Sequence, residues 1–162
     1  MAIEKARAAA KKDKRDGKSA STQAGEYVHE VIENIRKGKH GARSAKQAIA
    51  IGLSEARRDG IILPVSKTAS KTVKKKAAQD TKAGKHPHKP SATRSKAITK
   101  ALKKEGHSAA STKALSAQTK KASAKRTTAS RSAAAKKAVK TKGAVGRSAA
   151  AKKAARTRKK AD

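Results

Sequence analysis

Cysteine is absent from the 162 residues. Its absence removes disulfides and thiolate metal centres from consideration. Phenylalanine and tryptophan are absent too, and Tyr27 is the single aromatic residue. The chain therefore has no run of rings on which the bases of a single strand could stack. Long apolar runs are missing. None approaches the ~18 residues of a membrane-crossing helix, and the first 18 residues lack the apolar centre of a secretory signal. Acidic residues are scarce, 11 against 44 Lys and Arg, for a net charge of +33. Such self-repulsion with so few large apolar side chains argues against one compact globule.

Most of what is present is lysine, alanine and serine. One stretch differs, residues 26–64, EYVHEVIENIRKGKHGARSAKQAIAIGLSEARRDGIILP. Its periodicity predicts two amphipathic helices joined by a Gly-containing turn. Tyr27, Val28, Val31, Ile32 and Ile35 share one face of the first. Thr22 is the predicted N-cap, and Gly38 the residue that ends this helix. Ser44 with Gln47 three residues on predicts the start of the second, whose stripe is Ala45, Ala48, Ile49, Leu53 and Ala56. Gly52 lies beside that stripe and suits a close helix approach. Gly60 and Pro64 stop the helix. The large apolar side chains are too few to bury one another, so the hairpin is expected to self-associate, as a homodimer through residues 19–64, or to need a partner surface.

Charge divides the chain unevenly. Residues 1–60 hold 14 basic and 8 acidic residues, whereas residues 61–162 hold 30 and 3. A segment so cationic calls for a polyanion, DNA or RNA ahead of an anionic membrane. Residues 19–35 run against this trend. They contain no Lys or Arg and carry Glu26, Glu30 and Glu33, a surface suited to protein contacts.

Other patterns read as structure. Gly17-Lys18-Ser19 is only a fragment of a phosphate-binding loop, since Lys12 stands where its first glycine belongs and no strand precedes it. His86-Pro87-His88 reads as solvated linker, and no Ser/His/Asp or paired-carboxylate arrangement stands out. No enzyme activity, metal, cofactor, small-molecule substrate or membrane partner is expected.

Residues 65–91 are low-complexity, with Pro87 and Pro90, and read as a linker. Beyond them repeats appear. In residues 93–106, Ala97, Ile98, Ala101 and Leu102 share a helical face, and RSAAAKKA occurs at 131–138 and again at 147–154. The Lys/Ala composition is similar to that of linker-histone and bacterial histone-like tails.

The run GKHGARSAKQAIAIGLSEARRDG, residues 38–60, resembles the signature of an uncharacterised family of small basic bacterial proteins. Its members are loosely labelled DNA-binding or plasmid-stabilisation proteins. The resemblance covers roughly residues 15–64 and, more loosely, the tail repeats, and it implies a bacterial cytoplasmic, nucleoid-associated setting.

The expected fold is mostly α, a two-helix hairpin (19–64) after a basic arm (1–18), then the linker (65–91) and a disordered, helix-prone tail (92–162). The expected function is non-specific DNA binding and compaction. The alternatives are an RNA- or ribosome-associated protein, and a protein-interaction hairpin tethered to the nucleoid by its tail. The candidate phosphate-contacting residues are Arg36, Lys37, Lys39, Arg43, Lys46, Arg57 and Arg58 in the hairpin. In the tail they are Arg94, Lys96, Lys103, Lys104, Lys120, Lys121, Arg131, Lys136, Lys137, Arg147, Lys152, Lys153, Arg156 and Arg158.

Overall fold

The computed structural model describes residues 2–66, 68–86 and 91–159. Among them are seven α-helices: α1 (Ala2–Arg15), α2 (Ala20–Arg36), α3 (Ala45–Arg58), α4 (Lys71–Lys85), α5 (Ala92–Lys104), α6 (Thr112–Ala124) and α7 (Thr128–Lys159). A 3-10 turn, Ser108–Ala110, precedes α6. The chain divides into two units, Met1–Gln118 and Thr119–Asp162.

The two expected helices are α2 and α3. Ser44 caps α3, accepting from Gln47 N–H at 3.3 Å. The Gln47 side chain accepts in turn from Arg43 N–H at 2.9 Å. In α2 the cap is Ser19 rather than Thr22. Thr22 lies inside the first turn and its N–H donates to Ser19 Oγ. Helices α1, α2 and α3 end alike. Gly17, Gly38 and Gly60 take positive φ, and the following N–H returns to a carbonyl five residues back: Lys18 to Asp13, Lys39 to Asn34, Ile61 to Ala56. That closure satisfies carbonyls the helix end leaves open, and only glycine enters it without strain. At Gly52, α3 crosses α2 so closely that a Cβ would lie 2.6 Å from Val28 Cα.

The hairpin is not left to itself. Ala6 and Ala10 of α1, one turn apart, pack with Ala24, Tyr27 and Ala56, and Leu53, Ile61 and Leu63 close the cluster. The N-terminal segment is thus a docked helix, not a loose arm. On the opposite side of α3 lies α4, formed from the expected linker. Its Ser70 cap accepts from Val73 N–H at 3.3 Å, and it buries Ala77 and Asp80. At Gly84 a Cβ would come within 2.5 Å of the Arg57 carbonyl oxygen.

A second cluster draws on the expected tail. Val31, Ile35, Ala42 and Ala48 pack with Ala109 and Ala110. The backbone fixes this contact, with Gly41 N–H donating to Leu102 O at 2.9 Å and Ala42 N–H to Gly106 O at 3.1 Å. A methyl group at Gly41 would overlap the Glu105 carbonyl.

The expected hairpin with a disordered tail is therefore not the fold. Mostly α holds, but α4 to α7 are helical, and residues 102–110 complete the core of the first unit. Two physical reasons account for the correction. Alanine has the highest helix propensity, while like-charge Lys pairs one turn apart cost only about 0.2–0.5 kcal/mol each. Alanine is also small enough to cover a hairpin by close approach of backbones. In the second unit α7 has no buried residue among those described, and Gly143 interrupts it at φ 66°, ψ 174°.

Candidate nucleic-acid interface

The basic residues of the hairpin separate into two kinds. Three arginines meet partners in other segments while staying largely exposed, and a fourth is half-buried. Arg36 Nε donates to Ala110 O at 3.0 Å, and its Nη1 meets Glu33 at 3.0 Å. Arg43 reaches Glu105 at 3.3 Å. Arg58 Nε donates to Asp80 Oδ1 at 3.0 Å, while Arg57 is half-buried with its Nε out of solvent. These side chains tie α2, α3, α4 and the 3-10 turn together. Lys37, Lys39 and Lys46 are exposed too and make none of these contacts.

The Gly41–Leu102 hydrogen bond brings the end of α5, with Lys103 and Lys104, beside the α2–α3 turn that carries Lys37 and Lys39. His107 joins them; a Cβ at Gly38 would lie 3.7 Å from its ring. His40 is half-buried there, with Nδ1 3.1 Å from Gly41 O. Two segments far apart in sequence thus make one cationic end of the first unit. It extends along α5, where Lys96, Lys100, Lys103 and Lys104 line a shallow groove with Ser95 and Thr99. Lys100 escaped the sequence reading, although its place one turn after Lys96 put it on this face. Arg94 is exposed as well.

A further groove runs between α1, the start of α2 and the chain after α3. Arg7, Lys11, Lys14 and Gln23 edge it above Ala10, Tyr27, Ile61 and Ile62. Arg7 is engaged there, 2.6 Å from Asp59, which also accepts from the Tyr27 hydroxyl. Burial works against the Asp59 carboxylate, but the hydrogen bonds from Arg7 and Tyr27 outweigh it and hold its pKa below the ordinary value. Burial and the same carboxylate push the Tyr27 hydroxyl up.

Asp80 is the counterpart between α3 and α4. It is 1 % exposed and accepts from Ser54 Oγ at 2.8 Å and Arg58 Nε at 3.0 Å, with Lys76 Nζ at 3.2 Å. Burial again opposes ionisation, and these donors prevail, so its pKa is lowered. Glu55 has no such support. Burial lifts it to about 7, Arg58 opposes the rise, and Glu30 across on α2 adds to it.

In the second unit the repeat is longer than RSAAAKKA. Arg131, Lys136, Lys137, Lys140 and Lys142 recur sixteen residues on as Arg147, Lys152, Lys153, Arg156 and Arg158. All ten are exposed on α7. Thr141 and Thr157 recur likewise, each donating its hydroxyl to the carbonyl four residues back, at 2.9 and 3.0 Å. Lys140 and Lys142 were missed from sequence, though Arg156 and Arg158 mark their places one repeat on. Lys120 and Lys121 of α6 are exposed too.

Gly17-Lys18-Ser19 is the α1–α2 turn, with Lys18 2.5 Å from Asp13 and Ser19 capping α2. Pro87 and His88 lie outside the described residues. Among the described residues no group of three His, Asp or Glu side chains is placed to hold a metal, and no helix is long and apolar enough to cross a membrane.

The regular structure among the described residues is thus all helical, with a cationic end on the first unit and a doubled cationic helix in the second. The sequence profile of a family of unknown function (DUF6496) matches residues 15–67, which hold α2, α3 and their turn, so this third of the chain is similar to that family. No curated protein and no solved structure matches the chain.

Proposed function

We propose that the protein binds DNA non-specifically and compacts it, as a nucleoid-associated, histone-like protein of the bacterial cytoplasm. The observation that carries this reading is the exposure of every Lys and Arg from Arg94 to Arg158, with Glu105 the one acid among them. Arg126 and Arg147 bond to Ser130 and to the Gly143 carbonyl, each four residues away, and exposed cations of this kind neutralise phosphates and release counterions, which supplies affinity without sequence readout. The first unit adds its cationic end and orients it. The homodimer expected through residues 19–64 loses its motive, because Ala6, Ala10, Ala109 and Ala110 of the same chain cover the apolar stripes. We therefore take the binding form as a monomer.

The test is a salt titration of duplex binding. Log K falls by about 0.9 per neutralised phosphate for each decade of salt, so ten engaged cations give a slope of about −9. A slope near zero removes the electrostatic reading.

A further inference from the structure

The two halves of α7 carry the same five-cation pattern sixteen residues apart, and the helix breaks between them. Gly143 sits at φ 66°, ψ 174°, a region essentially reserved for glycine. Nothing crowds the position, since no atom lies within 4 Å of where a Cβ would be. Tertiary packing does not impose this conformation, and the residue type that permits it falls between two copies of one binding pattern.

A rod of 32 residues would be about 48 Å long. The major groove is about 12 Å wide, and it winds around the duplex once in about 34–36 Å. A straight helix of that length leaves the groove before its second half can follow. Two rods, residues 128–142 and 144–159, are each about 22–24 Å long, short enough to lie along the groove in succession. We propose that α7 is a two-module grip on duplex DNA, each half engaging through its own five cations, with Gly143 the turn that lets both follow the same duplex. This rests on the nucleic-acid reading and names the form of the partner. A single strand is flexible and can wrap a straight rod on any face, so it has no need of the break, and α7 contains no aromatic side chain to stack its bases.

Two charge-neutral substitutions in the full-length protein test this against a duplex of about three helical turns, roughly 30 base pairs, and a single strand of equal length. Gly143→Ala continues the helix through the break, since alanine favours αR and is strained at positive φ. Gly143→Pro removes the observed geometry, since proline is fixed at a φ of about −65°, but still interrupts the rod because its ring clashes with the preceding turn. Loss of one module's five contacts lowers the salt slope on duplex by about 4.5. The expected result is that loss for Gly143→Ala, a smaller one for Gly143→Pro, and single-strand binding unchanged in both. An unchanged duplex slope for Gly143→Ala overturns the two-module grip while leaving DNA binding in place. Equal losses on duplex and single strand overturn the duplex assignment. A flat slope for the unsubstituted protein overturns the underlying reading itself.

Discussion

Alanine and cations build both units of this protein, to opposite ends. In the first unit Ala24, Ala48, Ala56 and Ala110 are fully shielded from solvent, and arginines such as Arg58 are held on buried partners. In α7 no alanine is buried and nearly all are exposed, contributing helix propensity, and the cations face water. The difference lies in neighbours. Alanine packs productively only where backbones approach to within a glycine's width, as at Gly41, Gly52 and Gly84. Where no such approach exists, the same composition yields a solvated helix whose charges are left for a ligand.

Breaking the first unit and breaking α7 should therefore have separable consequences. The largest effect is expected from Ile35→Asp. Ile35 is 0 % exposed, and a carboxylate there costs about 4 kcal/mol or more, enough to unfold a marginal unit in a thermal melt. The salt slope contributed by α7 should persist in that variant.

Next comes Arg58→Ala, which deprives the buried Asp80 of one donor and leaves Ser54 and Lys76. A loss of about 1.5 kcal/mol is expected, that of one hydrogen bond to a charged group, because Lys76 still compensates the carboxylate, read by denaturant unfolding. The control is Arg156→Ala. It should change stability by less than about 0.5 kcal/mol and reduce the salt slope by about 0.9. Equal destabilisation by the two would erase the distinction between held and offered cations.

The smallest effect concerns pH. Glu55 in the fold has its pKa raised from the ordinary 4.5 to about 7. The folded state then keeps a proton that the unfolded chain releases, so stability rises as pH falls from about 7 toward 4.5. Glu55→Gln should flatten that rise. Asp59 and Asp80 act in the other direction, since their pKa values are lowered and their contribution disappears as pH falls below 3.8. Stability should therefore pass through a maximum in mildly acidic buffer, followed by circular dichroism melts across the range.

Helices α2 and α3 were legible because their large apolar residues recur at helical period and their ends carry Ser44, Gly38 and Gly60. The rest of the first unit was not, for a physical reason. Ala6, Ala10, Ala77, Ala109 and Ala110 do the covering, and a buried alanine in a Lys/Ala segment looks like an exposed one. The same blindness affected the site. Arg36, Arg43 and Arg58 read as phosphate ligands by charge, and the contacts they also make, to Ala110, Glu105 and Asp80, could not be seen because those partners lie in segments that sequence took for tail and linker. The doubled pattern of α7 was only half visible, because Arg156 and Arg158 replace Lys140 and Lys142 and hide the full repeat.

The seating of Glu105 against Gly41 bears on the order in which the molecule assembles. Helices α1 to α3 pack mostly as consecutive elements, with Arg7–Asp59 spanning 52 residues. The Arg43–Glu105 and Arg36–Ala110 contacts instead span 62 and 74 residues. Closing so long a loop costs entropy that only the finished contacts repay. The Leu102–Ala110 segment is then the last piece to dock and the first to release, and amide protons at Gly41 and Ala42 should exchange ahead of those in α2. Each release uncovers Val31 and Ile35, so the sticky, chaperone-accessible state of this protein is an early partial opening rather than global unfolding.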